Sequence, residues 1–143
     1  MTAIGSGSSA SSLGAGASRA KGGSFVERIL AQARAGKPLR VVADQVFSPT
    51  YASDLAGALI ALVDAGARGV FHVTNGGGCS WHELAEAAVR EAGLEVPIEK
   101  IAAADLARPA ARPAYSILSN DRYRGAGLPP LRHWRDALAD LVR

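Results

Sequence analysis

L-R-V-V-A-D-Q-V-F-S-P-T-Y-A-S-D-L-A, residues 39–56, is the stretch from which the rest of the chain is read. Leu39, Val41 and Val42 form a short apolar run that predicts a strand. Asp44 to Tyr51 mixes polar residues, aromatics and a proline. Pro49 restricts Ser48 to extended backbone, so this segment is expected to be a loop rather than a helix. Ser53 then opens a predicted helix, Asp54 to Asp64, with Leu55, Leu59, Ile60, Leu62 and Val63 as a wide apolar face. Strand, polar loop and helix in that order point to an α/β fold.

The flanks extend the pattern. Upstream, Ser24 caps a predicted helix in which Phe25, Val26, Ile29, Leu30 and Ala33 recur at helical spacing, and Gly36 and Pro38 stop it. Downstream, G-V-F-H-V-T (69–74) predicts a strand, and Asn75-Gly76-Gly77-Gly78 a turn able to adopt positive φ. Ser80 and Glu83 form a capping box. The helix after it places Trp81, Leu84, Ala85, Ala88 and Val89 on one face and ends at Gly93. Pro97 to Ile101 reads as an edge strand, and residues 102–115 as an extended Ala/Pro/Arg-rich segment. Pro130 to Arg143 reads as a last helix, carried by Leu131, Trp134, Leu138 and Leu141. Trp81 and Trp134 are expected to pack, since aromatics at helical spacing usually bury. A full doubly wound sheet has about five or more strands, and this chain has too few to close one alone.

The chain has 143 residues, of which 48% are apolar and 20% charged. That suits one compact domain plus a tail. Residues 1–23 are mostly Gly, Ser and Ala, with Met1, Ile4 and Leu13 as their large apolar residues. They are expected to be a disordered tail, because they bury too little surface to offset ordering entropy. Residues 24–143 are the expected folded domain. Net charge is +3. Arg19 and Lys21 in the tail account for two of those charges, leaving about +1 for the domain, too little for a broad nucleic-acid footprint. No apolar run approaches the ~20 residues of a membrane span. A single cysteine forms no intramolecular disulfide, and a cytoplasmic location is expected.

Several motifs are missing from the sequence. It has no G-x-G-x-x-G, G-K-[ST], H-E-x-x-H or C-x-x-C. Gly76-Gly77-Gly78 precedes a capped helix and superficially suits an anion, but the spacing fits a flexible turn better. His72, Cys79 and His82 are irregularly spaced for a metal set. Cys79, near a helix N-terminus, admits a thiol nucleophile, with no third group to orient it. More weight falls on the Asp44–Asp54 loop and on R-P-A-A-R-P-A-Y-S (108–116). There, Arg108 and Arg112 sit in a proline-stiffened loop and are able to fork onto phosphate oxygens. The alternative is a solvated loop.

These residues carry a resemblance. The 39–56 segment resembles the D-Q-x-G-S-P-T-x-x-x-D-L-A segment of dTDP-4-dehydrorhamnose reductases, members of the extended short-chain dehydrogenase/reductase (SDR) class. The likeness continues in order through F-V (25–26), G-K-P-L (36–39), G-V-F-H-V (69–73), C-S-W-H-E-L-A (79–85), R-P-A-Y-S-I-L (112–118) and L-R-H-W-R-D-A-L (131–138). Phe47 departs from it, standing where the family usually has Gly, which would alter the loop and weaken a ligand contact. The resemblance implies the small C-terminal substrate-binding portion of a Rossmann-type extended SDR, with the N-terminal dinucleotide-binding portion missing. The family's Y-x-x-x-K pair is absent too: Tyr51, Tyr115 and Tyr123 are followed four positions on by Leu55, Ser119 and Gly127. Catalytic and cofactor-binding residues are therefore expected to be none here.

The implied activity of the complete enzyme is reduction of dTDP-4-dehydro-L-rhamnose to dTDP-L-rhamnose with NADPH or NADH, no cofactor being bound by this chain alone. Carried over by position, Gln45, Ser48, Pro49 and Thr50 face the dTDP-sugar nucleotide and Arg112 its diphosphate, while Asp54 caps or supports its helix. The implied partners are the sugar nucleotide and either a chain supplying the Rossmann half or a second copy, with no nucleic acid and no membrane. The alternative is a non-catalytic interaction or regulatory module of the same fold.

Overall fold

The computed structural model describes residues 23–106 and 112–143. The expected tail lies outside the described residues except for Gly23, and so does Arg108.

Helix α1 (Phe25–Arg34) starts at a full capping box, Ser24 with Glu27, and buries Val26, Ile29, Leu30 and Ala33. Gly36 follows at φ 67° and turns the chain into strand β1 (Leu39–Val42). Strand β1 pairs in parallel with the later strand β4 (Ile98–Ile101), Leu39 opposite Ile98 and Val42 opposite Ile101. The predicted edge strand is therefore present. Between them in sequence lies helix α3 (Trp81–Glu91), whose Ser80–Glu83 capping box also forms. Ile29 and Ala33 of α1 and Ala85 and Val89 of α3 close over Leu39 and Val41 of β1.

A second, smaller sheet has strand β2 (Val46–Phe47) at its centre. Strand β3 (Cys79–Ser80) pairs antiparallel on one side, and strand β5 (Tyr115–Ser116) parallel on the other. The Asp44–Tyr51 segment is non-helical, as Pro49 requires. Phe47 points inward, 6% exposed, and stacks on Trp81 with ring centroids 4.1 Å apart. No non-glycine residue among those described has positive φ, so position 47 places no conformational demand for glycine. Helix α5 (Trp134–Val142) completes the main core, its buried Trp134 and Leu138 joining Val26, Leu30, Leu84 and Ala88. Both tryptophans pack as expected, Trp134 fully buried and Trp81 wedged between Phe47 and Phe25.

Four expectations need correction, and one helix was unforeseen. Helix α2 runs Ala52–Asp64, and Ser53 does not cap it. The amide of Tyr51, at the helix start, donates instead to Asn75 Oδ1 at 2.7 Å, so a distant side chain replaces a local one. Residues 69–74 pair with no strand among those described. The amide and carbonyl of Thr74 are taken by the side-chain amide of Asn120, at 3.1 and 2.9 Å. The last helix begins at Trp134, not Pro130. Gly76 holds the chain before it through Gly76 N–Arg132 O (2.9 Å) and Trp134 N–Gly76 O (3.0 Å), a parallel bridge that excludes helix. Finally, a short helix α4 (Asp121–Gly125) was not foreseen. Its Tyr123 buries with Ala58 and Leu62 of α2 in a satellite cluster. Within 102–115, Ala103–Asp105 forms a 3-10 turn rather than extended chain.

Candidate functional site

The parallel register of β2 and β5 organises the candidate residues. Val46 lies opposite Tyr115, and the amide of Val46 donates to Ala114 O at 2.8 Å. Gln45 and Arg112–Ala114 therefore sit at the N-terminal end of this ladder. Ser48, Pro49 and Thr50 sit at its other end, beside Ile117 and Leu118. The structure brings Gln45 and Arg112 to one end and does not bring the S-P-T residues there.

The two ends differ in what their side chains do. Gln45 is 7% exposed, and its Oε1 has no hydrogen-bond partner among the described residues. An orphaned buried amide oxygen is costly, and a donor from outside the chain would satisfy it. Arg112 is exposed and meets no hydrogen-bonding or ionic partner among the described residues. Asp44, one residue before Gln45, accepts from the amide of Ala103 at 2.9 and 3.0 Å and fixes the approach to the loop. At the other end the polar groups are engaged within the protein. Ser48 Oγ accepts from the amide of Leu118 at 3.2 Å, and Thr50 Oγ1 donates to Ser48 O at 3.4 Å. Pro49 and Thr50 are almost fully buried.

Beneath the loop lies a network in which sequence reasoning gave Asn75 and Arg132 no role. Asn75 is 1% exposed. Its Oδ1 takes the Tyr51 amide, and its Nδ2 donates to Asp54 Oδ2 at 2.7 Å and Arg132 O at 3.1 Å. Arg132 forks onto Asp54, Nε to Oδ2 at 2.9 Å and Nη2 to Oδ1 at 3.0 Å, and also pairs with Asp140. Burial raises the pKa of Asp54, but the hydrogen bonds from Arg132 and Asn75 outweigh it and hold the carboxyl below its usual range. Asp54 thus supports its helix through a tertiary clamp rather than as a cap. The available signal was positional: Asn75 is the middle residue of T-N-G, and Arg132 lies in L-R-H-W.

The remaining candidates resolve as packing. Cys79 is 3% exposed, and desolvation, with Glu83 nearby, pushes its thiol up to about 12. This is opposite to what a nucleophile needs. His82 is buried, with Nε2 3.3 Å from Ile98 O and Nδ1 3.3 Å from Glu86 Oε2, the latter without hydrogen-bond geometry. Among the described residues no group of His, Cys, Asp or Glu is arranged to hold a metal ion. The glycine turn is filled by protein: a Cβ at Gly77 would come within 2.5 Å of His133, and one at Gly78 within 2.4 Å of Ile117. A shallow groove of about 770 Å³ between the end of α3 and residues 93–98 contains none of the candidates.

Residues 16–143 match the model of the RmlD substrate binding domain. The spore coat polysaccharide biosynthesis protein SpsK of Bacillus subtilis is 44% identical over 122 residues, covering 85% of this chain and 42% of that protein. A dTDP-4-dehydrorhamnose reductase of Mycobacterium tuberculosis is 50% identical over 101 residues, covering 69% of this chain and 33% of that one. The crystal structure of a dTDP-4-dehydrorhamnose reductase from Bacillus anthracis, in complex with NADP, superposes with a TM-score of 0.84 at 30% identity. It covers 92% of this chain and 45% of that one. The chain thus spans about two fifths of the length of the curated relatives it matches. By sequence, and by the α/β fold that carries it, the chain belongs to the RmlD substrate binding domain family.

Proposed function

We propose that this chain is the sugar-nucleotide-gripping part of a dTDP-4-dehydrorhamnose reductase. The reaction of the whole enzyme is reduction of the 4-keto group of dTDP-4-dehydro-L-rhamnose, with hydride from NADPH or NADH. Residues outside this chain carry the hydride chemistry and hold the dinucleotide. In this reading the chain alone binds no cofactor and reduces nothing. The relatives that are named reductases, and the one solved with NADP, support the assignment. A reduced, buried Cys79 is compatible with a cytoplasmic setting.

One observation carries the reading to particular atoms: Gln45 Oε1 and Arg112, neither with a partner among the described residues, share one end of the β2–β5 ladder. Gln45 offers a buried acceptor suited to a hydroxyl or imide N–H donor. Arg112 offers a permanently charged fork suited to a diphosphate. Ser48, Pro49 and Thr50 shape the loop that presents them, and the Asn75–Asp54–Arg132 clamp holds that loop at Tyr51.

Calorimetric titration of the chain with dTDP-L-rhamnose tests the proposal. Binding is expected to be weak, and Arg112→Ala to weaken it by about 1–3 kcal/mol, roughly five- to 150-fold. Binding unaffected by either Arg112→Ala or Gln45→Leu would contradict the assignment of these residues. Oxidation of NADPH by the isolated chain in the presence of the keto sugar would contradict the division of labour.

A further inference from the structure

The imidazole of His82 is a buried titratable group that the candidate site leaves unused. It lies in the first turn of α3, 1% exposed, between two hydrogen-bond acceptors. Its Nε2 is 3.3 Å from Ile98 O at the start of β4, and its Nδ1 is 3.3 Å from Glu86 Oε2, one turn along α3. A neutral imidazole has one N–H. Placed on Nε2, that proton satisfies Ile98 O and leaves the Nδ1 lone pair facing a carboxylate. Placed on Nδ1, it serves Glu86 and leaves the Nε2 lone pair facing a carbonyl. Either neutral tautomer buries one acceptor against another, which forfeits a hydrogen bond where water does not replace it. Only the imidazolium has a donor for each. With one proton short, Nδ1 is the atom left without a hydrogen-bond partner among the described residues. The Glu86 side chain is 52% exposed and has room to swing into line with it.

We propose that His82, Glu86 and the Ile98 carbonyl form a proton-operated latch between α3 and β4. With the ring protonated, Nε2–H holds the start of β4 and Nδ1–H holds Glu86. When the proton leaves, one arm of the latch opens. Strand β4 has β1 as its one strand partner among the described residues, so the ring is what ties Ile98 O to the helix. Glu86 and Ile98 also line the groove beside α3, and the latch forms part of its wall. Burial opposes a charge on the ring, and nearby carboxylates oppose that effect. On α3 these are Glu86 and Glu83, whose carboxyl is held down in part by the charge of His82. Glu95 lines the groove, Glu99 of β4 pairs with Arg40 of β1, and Glu27 of α1 closes its own capping box. Cys79 of β3 stays a neutral thiol. The cations on the packed elements, Arg28 and Arg34 of α1, Arg40, Arg90, Lys100 and Arg135 of α5, are all exposed, where water and salt screen them.

The latch adds stability while the ring holds its proton, and that contribution disappears as the pH rises through the histidine range. The test follows urea unfolding of the full chain from about pH 5.5 to about pH 8, above the range in which ordinary carboxylates titrate. Two variants isolate the latch from His72 and His133, which all forms share. Glu86→Gln places an amide donor beside Nδ1, so the neutral ring is satisfied without a proton. His82→Phe removes the titrating group. Across the window the unfolding constant of the wild type is expected to rise about threefold or more relative to both variants. Nitrogen NMR of the wild-type ring should show two slowly exchanging N–H groups on His82 at the acid end and one at the alkaline end. A pH dependence shared equally by the wild type and Glu86→Gln would overturn the proposal, and so would a ring that stays a single neutral tautomer throughout. If His82→Phe fails to fold, Glu86→Gln and the ring spectrum decide between these outcomes.

Discussion

Asp54 accepts hydrogen bonds from Arg132 and Asn75, and through Asn75 it fixes the Tyr51 amide at the end of the S-P-T loop. Removing the carboxylate leaves Nε and Nη2 of the partly buried Arg132 without their acceptor, with only the Asp140 pairing remaining. Asp54→Ala should therefore cost about 2–3 kcal/mol, read as a lower urea midpoint. The pKa of Asp54 is depressed in the folded state. Its contribution is thus fully present above about pH 4 and disappears as the pH falls through the depressed value. Asp54→Asn should flatten the pH dependence of the urea midpoint below pH 4. Cys79 gives a second prediction at this scale. With its thiol pushed up to about 12, it should resist thiol reagents at pH 8 in the native protein and react on unfolding. Asp54 was legible as a supporting residue because it lies in the first turn of a helix. Its actual partners were not, since Arg132 is 78 positions away and no local spacing encodes that contact. The orphaned oxygen of Gln45 was equally hidden: sequence names the amide, but only packing decides which of its atoms goes unpaired.

The Ser80–Glu83 capping box and the Ser24 cap were readable directly, because each satisfies helix-end amides within four residues; that Glu27 completes a box with Ser24 came from the structure. Ser80→Ala should cost about 1 kcal/mol, seen as a lower melting temperature. The backbone hydrogen bond from Ser80 chiefly keeps the pKa of Glu83 low, against desolvation, so this cap too should weaken only on acidification below its usual range. Elements defined by such local chemistry, α1, β1, α3 and β4, lie where they were expected. Those defined by distant partners do not. The start of α2 is set by Asn75, the start of α5 by Gly76, and the fate of residues 69–74 by Asn120. Helix α4 is one turn long, too short for a periodic signal, and its position is fixed by burial of Tyr123.

The molecule is built as two small sheets sharing one central helix, α3, with the candidate ligand groups at one end of the β2–β5 ladder and an uncovered apolar stripe on α2. A separate dinucleotide-binding part was only what the resemblance implied, while the α/β class followed from the order of elements. Which surface remains open did not, because α2 reads as uniformly apolar until its neighbours are known. The central claim is that this chain grips a dTDP-sugar through the Gln45–Arg112 end of the ladder. Its most direct test is an NMR titration of the backbone amides with dTDP-L-rhamnose. The account predicts shifts concentrated at residues 44–47 and 112–116 that disappear in Arg112→Ala. No shifts at saturating ligand, or shifts confined to the groove at residues 86–98, would contradict it.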